Sequence, residues 1–274
     1  MELPSTLLCY LNEIIGVKIG LKKVARQRIE IKYLKDYLKF IKILELRYAF
    51  WPKRMYFYIS KEKNEALEAM KLEVIISKMN LTSENFELFS KYVYKLGKLF
   101  GYPECCINFY ISCWKKHILN PLHFLEKEPN YILYSYLNTK NKKKLNFLLN
   151  NLSVYRVISH FPCSYECKES LKFAINLFKA LPQKQRKICK KILRRDFLVW
   201  HEEKVIGFQS RFKCNKISYN SENVDILGIS KNIIDALRRG NRLELDRNQI
   251  RIFRDNRLIL KFEEDFRPFI LSFY

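Results

Sequence analysis

Glycine is scarce in this 274-residue chain, with seven in all. No Gly-rich phosphate loop and no Gly-x-Ser-x-Gly elbow occurs, which disfavours nucleotide-dependent chemistry of the familiar kinds. No apolar run approaches the roughly 20 residues needed to span a bilayer. The opening residues Met1-Glu2-Leu3-Pro4 have no basic stretch followed by an apolar one, so no secretory signal is expected and the cytoplasm is the default location. Acidic residues are also few, 28 against 51 lysines and arginines, for a net charge of +23.

A hydrophobic content of 48% with 15% aromatics describes a folded globule, because a disordered chain has far less of both. The excess positive charge peaks in residues 101–200, with 18 basic and 6 acidic residues. Such a field attracts nucleic acid, anionic cofactors or an acidic protein partner and says nothing about fold. Eight cysteines in a cytoplasmic protein are poorly explained as a disulfide framework. They divide among buried small hydrophobes, metal ligands and reactive thiols.

The pattern predicts an α+β protein, an α-rich body with a small C-terminal β-meander unit. Residues 1–100 read as mostly helical with one aromatic strand at Met55–Ile59. Residues 101–196 read as a helical cysteine-bearing region forming one body with them, and 197–274 as a small α+β unit. Within the body, a helix carrying Phe86, Phe89, Val93, Leu96 and Phe100 should stop at Gly101, since glycine accepts the left-handed conformation that ends helices. Pro103 should restart the chain at the first helical position of a helix running to about Ile118. Residues 138–146 form a basic loop, and 153–159 fit a strand or a short helix. Ser164 should cap a helix from about Tyr165 to Ala180, and another should cover roughly 183–195. Beyond Phe197 come short strand candidates, a helix from Ser230 to Gly240, and turns at Asp246-Arg247-Asn248 and Asp255-Asn256.

Two segments place thiols where helices begin. Cys105 and Cys106 follow Pro103, and Cys163 and Cys167 flank Ser164. Free backbone N–H groups and the positive helix end stabilise thiolate there, the form that binds metal or attacks. His160, three residues before Cys163, offers a nitrogen ligand. The spacing is not the paired Cys-x-x-Cys of zinc knuckles but a vicinal pair and a Cys-x3-Cys. Adjacent helical residues point about 100° apart, so either one of Cys105 and Cys106 ligates while the other packs, or both face one centre because the turn is irregular or the centre multinuclear. The radical-initiating Cys-x3-Cys-x2-Cys triplet is absent, because Ser170 follows Cys167 by three.

The blocks Gly101-Tyr102-Pro103-Glu104-Cys105-Cys106-Ile107-Asn108-Phe109 and His160-Phe161-Pro162-Cys163-Ser164-Tyr165-Glu166-Cys167-Lys168-Glu169-Ser170 resemble an uncharacterised family of archaea and some bacteria. That family carries the same Tyr-Pro-x-Cys-Cys and His-x-Pro-Cys-Ser-x-x-Cys-x-x-Ser blocks, and Gly240–Phe262 resembles its tail. The resemblance covers roughly residues 97–274 and implies that the two blocks act as one unit, with no established activity. A looser similarity is to the cysteine-rich domain of heterodisulfide-reductase-type proteins, which also uses a vicinal pair. This sequence lacks the glycine after that pair and has a different second spacing.

Three functional readings follow. The first is a metalloprotein, with an iron–sulfur cluster favoured slightly over zinc, held by Cys105, Cys106, Cys163, Cys167 and His160. The second is a metal-free thiol enzyme using helix-start thiolates with His160 as acid and base. The third is a nucleic-acid-binding or RNA-modifying protein. It rests on Lys184, Arg186, Lys187, Lys190, Lys191, Arg194 and Arg195, on a helix with an apolar face at Ile188, Ile192 and Leu193. Cys113 and His117, four apart, read as a buried thiol beside a surface histidine. Cys9, Cys189, Cys214, His123 and His201 read as structural.

Overall fold

The computed structural model describes residues 8–119, 128–153, 155–201, 204–227, 229–247, 249–263 and 268–274. His123 lies outside them, as do Gly228 and Asn248 of the expected strand end and turn.

The N-terminal hundred residues are built around a sheet. Strands β1 (Val24–Arg28), β2 (Arg47–Trp51) and β3 (Tyr56–Ser60) form an antiparallel sheet in the order β1-β3-β2. The central strand alternates, as period-two geometry requires. Phe57 and Ile59 face a core with Ile14, Val17, Tyr37 and Ile41, while Tyr58 faces another with Ala66, Ala69, Leu96 and Leu99. The first core is supplied by helices α1 (Leu8–Lys18) and α2 (Leu34–Ile43), the second by α3 (Lys63–Lys78) and α4 (Phe86–Leu99). Only the central strand was expected. The two flanking strands are a correction to the mostly helical reading.

Gly101 ends α4 with φ +70°. Its N–H donates to Lys98 O, and the Tyr102 N–H donates to Gly97 O at 2.9 Å, closing the last turn. A side chain here would be blocked twice over, since a Cβ would stand 2.4 Å from Leu21 O. The tight turn aims the chain into α5 (Glu104–Leu119). Pro103 sits just before the helix, not at its first position, and its carbonyl accepts from Cys106 and Ile107.

A third core joins Leu148, Leu149, Val157, Ile158, Phe173 and Leu177 with Phe197, Val199, Leu271 and Phe273. Into it pack α6 (Tyr131–Leu137), α7 (Lys168–Ala180) and α8 (Gln183–Leu193). Residues 155–159 are irregular, neither strand nor helix.

The C-terminal part holds two four-stranded antiparallel sheets. One, β11-β4-β5-β7, comprises β4 (Asp196–His201), β5 (Lys204–Phe208), β7 (Val224–Leu227) and β11 (Phe269–Ser272). The other holds three strands of the expected meander, β8 (Arg242–Asp246), β9 (Gln249–Arg254) and β10 (Arg257–Glu263), extended by β6 (Lys216–Ser218). The stretch Pro268–Phe273, expected as the meander's last strand, supplies β11 to the first sheet instead. Helix α9 (Lys231–Arg239) follows Ser230 and ends at Gly240. Strand β4 again alternates: Phe197 and Val199 join the third core, and Leu198 joins Ile206, Phe208, Leu243 and Ile252 in a fourth. The architecture is α+β with an α-rich body.

Candidate metal centre

The two cysteine segments converge. The ligand atoms of Cys105, Cys106, Cys163 and Cys167 all lie within 4.8 Å of one another. The Sγ atoms of Cys105 and Cys106 are 3.8 Å apart, those of Cys105 and Cys167 3.6 Å, and those of Cys106 and Cys167 3.7 Å. The expectation that a vicinal pair diverges by 100° fails at this position. Side chains on a helix tilt toward its N-terminus, and Cys105 and Cys106 occupy its opening turn. Two short side chains there reach past the helix end toward one point.

Cys167 is itself the N-cap of α7, a correction to the expected cap at Ser164. Its sulfur accepts from the Ser170 N–H at 3.5 Å. Ser164 instead closes a turn, its carbonyl accepting from the Cys167 N–H at 3.1 Å. That turn brings Cys163 back over α5, where its N–H donates to Cys106 Sγ at 3.3 Å. The basic loop, present as expected, latches the segment from outside. Asn138 Nδ2 donates to Cys163 O, and Thr139 Oγ1 accepts from the Tyr165 N–H. The Glu166 carboxylate accepts from the N–H groups of Lys140 and Asn141.

Behind the sulfurs lies a layer that sequence reasoning did not find. Ser170 Oγ is 3.1 Å from Cys106 Sγ and 2.8 Å from His160 Nε2. His160 therefore stands one step back and is not among the four converging groups. Its ring is buried against Tyr102 and Phe173, and burial together with nearby Lys22 draws it down to about 3, so it is neutral at ordinary pH. Deeper still, Lys22 and Glu13 form a buried ion pair. Lys22 Nζ also donates to Ser159 Oγ at 3.0 Å, and Ser159 Oγ donates to Tyr102 OH at 3.3 Å. Lys22 thus ties together the chain segments that lead into both cysteine blocks, Tyr102 before Cys105 and Ser159 before Cys163. Ser170 had a weak signal in its position three after a capping residue; Glu13 and Lys22 had none.

Four thiols this close cannot all ionise unaided. Cys167 is held well below the usual thiol range by hydrogen bonds from Cys106 and Cys163. Cys106 is pushed well above it by its bonds to Cys163 and Cys167 and by burial. Cys163 is pushed up to about 12: Cys106 draws it down, but Cys167 and burial outweigh that pull. Cys105 is raised by burial and by Cys167. Like charges cannot crowd together without a cation to hold them.

The remaining candidates lie elsewhere. Cys113 is buried in α5, its thiol pushed up to about 11 by burial, and His117 packs edge-on against Trp114. Cys189 is fully buried and Cys214 exposed. Helix α8 buries Gln185, Cys189 and Leu193; of the apolar face expected at Ile188, Ile192 and Leu193, the two isoleucines are only half-buried. Lys184, Lys187, Lys190, Lys191 and Arg194 are exposed, Arg186 is half-buried, and Arg195 is buried, which removes it from the basic face.

A family model described as "Protein of unknown function (DUF483)" matches residues 69–194, a stretch that contains all four converging cysteines, His160 and Ser170. The chain thus resembles an uncharacterised family. No curated protein and no solved structure matches the chain. Among the described residues, no helix is long and apolar enough to cross a membrane.

Proposed function

We propose that this protein carries a single tetrahedral metal ion, zinc in the first instance, held by the thiolates of Cys105, Cys106, Cys163 and Cys167. The spacing of the sulfurs is what supports this reading. Zinc–sulfur bonds of about 2.3 Å place tetrahedral ligand sulfurs about 3.8 Å apart. The separations of 3.6, 3.7 and 3.8 Å among Cys105, Cys106 and Cys167 match that edge, and Cys163 completes the set within 4.8 Å. An iron–sulfur cube ties its ligands to different irons and holds their sulfurs much further apart, so the separations favour a mononuclear site over a cluster. The N–H···S bonds from Cys163 and Ser170 spread the negative charge that four thiolates bring. Cobalt(II) added to reduced, metal-free protein tests the geometry. One equivalent should give the intense colour of a tetrahedral thiolate complex, whereas a weak six-coordinate spectrum would contradict the site.

A second reading, a surface for single-stranded nucleic acid, is favoured by a strip of cations lying over aromatic rings. Lys142 lies over Tyr136, Arg194 over Phe147, and both Lys144 and Arg211 over Tyr274. Leu145 bridges to Phe273 and the Phe147 N–H donates to Tyr274 O, so those segments lie side by side, and Tyr136 stacks on Phe269 of the strand that precedes Tyr274. Alternating charge and ring suits phosphates and stacked bases. Filter binding of a single-stranded oligonucleotide should lose roughly tenfold or more in affinity between about 50 and 200 mM salt. The triple variant Lys142→Gln, Lys144→Gln, Arg194→Gln should weaken it further; unchanged binding by the variant would sink this reading.

A further inference from the structure

The four sulfurs are not equivalent, and the difference between them points to chemistry. Cys106 and Cys167 are buried. Cys106 accepts an N–H from Cys163 and contacts Ser170 Oγ, and Cys167 accepts the Ser170 N–H. Each such bond draws charge from the sulfur and blunts it as a nucleophile. Cys163 accepts no N–H among the described residues but is half-buried, with its carbonyl held by Asn138. Cys105 is exposed, and among the described residues its sulfur meets only other sulfurs.

We infer that Cys105 is the reactive sulfur of this centre, a nucleophile that accepts an alkyl group from a soft carbon electrophile. The inference rests on the metal reading above. A metal-held thiolate is ionised without a base, so the step needs no partner residue to take a proton. A sulfur lone pair forms the S–C bond, the bond from carbon to the leaving group breaks, and that pair departs with the leaving group. No oxidant or reductant takes part. The product is a neutral thioether, so the centre loses one negative charge while Cys106, Cys163 and Cys167 keep theirs. The two helix starts make the site asymmetric in the way this requires, with Cys105 on the open side of α5 and Cys106 one residue on, facing inward.

The test uses natively isolated, metal-containing protein, with iodoacetamide as the electrophile and iodide as the leaving group. Labelling of each cysteine is followed by peptide mass spectrometry, and metal content is measured on the same sample. Cys105 should be labelled roughly tenfold faster than Cys106, Cys163 or Cys167, because only the accessible thiolate reacts. Its rate should stay flat between about pH 8 and pH 6, where an uncoordinated thiol slows by roughly tenfold per unit. Cys214, exposed and outside the cluster, supplies the reference for accessibility. If metal is present and Cys163 reacts first, or fast labelling persists in Cys105→Ser, this inference falls and the metal site stands. If the chain holds no metal, both fall.

Discussion

Replacing Cys106 by serine should weaken metal binding by roughly a hundredfold to a thousandfold. The apparent binding free energy of a structural zinc site, about 10–16 kcal/mol, divides over four thiolates into roughly 2.5–4 kcal/mol each. Serine supplies a harder oxygen on a shorter bond, and Cys106 is 2% exposed, so no water can readily take the missing place. Competition against a chromophoric chelator measures the change. Cys113→Ser and Cys189→Ser are the matched controls, equally buried and outside the cluster, at 3% and 0% exposure. Whatever stability they lose as proteins, they should keep native metal affinity. Equal losses at Cys106 and Cys113 would mean that burial, not ligation, explains the effect.

Lys22→Met should destabilise the fold by about 3–5 kcal/mol, the usual consequence of stranding one half of a buried ion pair. The Lys22 side chain is 1% exposed and that of its partner Glu13 12%. The lysine also holds Ser159, and through it Tyr102, so its loss loosens the approach to both cysteine segments. Denaturant unfolding of the metal-free protein isolates this effect from ligation. The double variant Glu13→Gln, Lys22→Met should recover much of the loss. pH dependence gives an independent check. Burial raises the Glu13 carboxyl, but Lys22 and Arg156 outweigh it and leave a net lowering. A carboxyl lowered in the folded state contributes stability above its unfolded value of about 4.3 and loses it as pH falls through the folded value. Wild-type protein should therefore lose stability in acid more steeply than the double variant. Parallel acid profiles would show that the pair carries no such role.

Much of this fold was legible because burial leaves periodic traces. Strand β3 reads as the unbroken run Tyr-Phe-Tyr-Ile because both its faces are covered. Its neighbours were missed for the opposite reason: β1 is Val-Ala-Arg-Gln-Arg, and β2 leaves Arg47 and Tyr48 exposed. The short C-terminal strands emerged from alternation, but nothing local tells that β11 leaves the meander to pair with β4. At the site, thiols near helix starts could be read from Pro103 and the Cys-x3-Cys spacing, and the family resemblance implied that the two blocks act as one unit. What could not be read was contact. Sequence offered His160 as a ligand because it is near Cys163, whereas the fold places Ser170 between it and the sulfurs. The Lys22–Glu13 pair joins residues nine apart to others more than a hundred away, a relation that leaves no periodicity.

The most direct test of the account is the metal content of protein purified without chelators, measured together with its visible spectrum. The proposed zinc site predicts about one zinc per chain, little or no iron and no visible colour. A metal-free protein that is fully stable, or a brown one carrying several irons per chain, would contradict it.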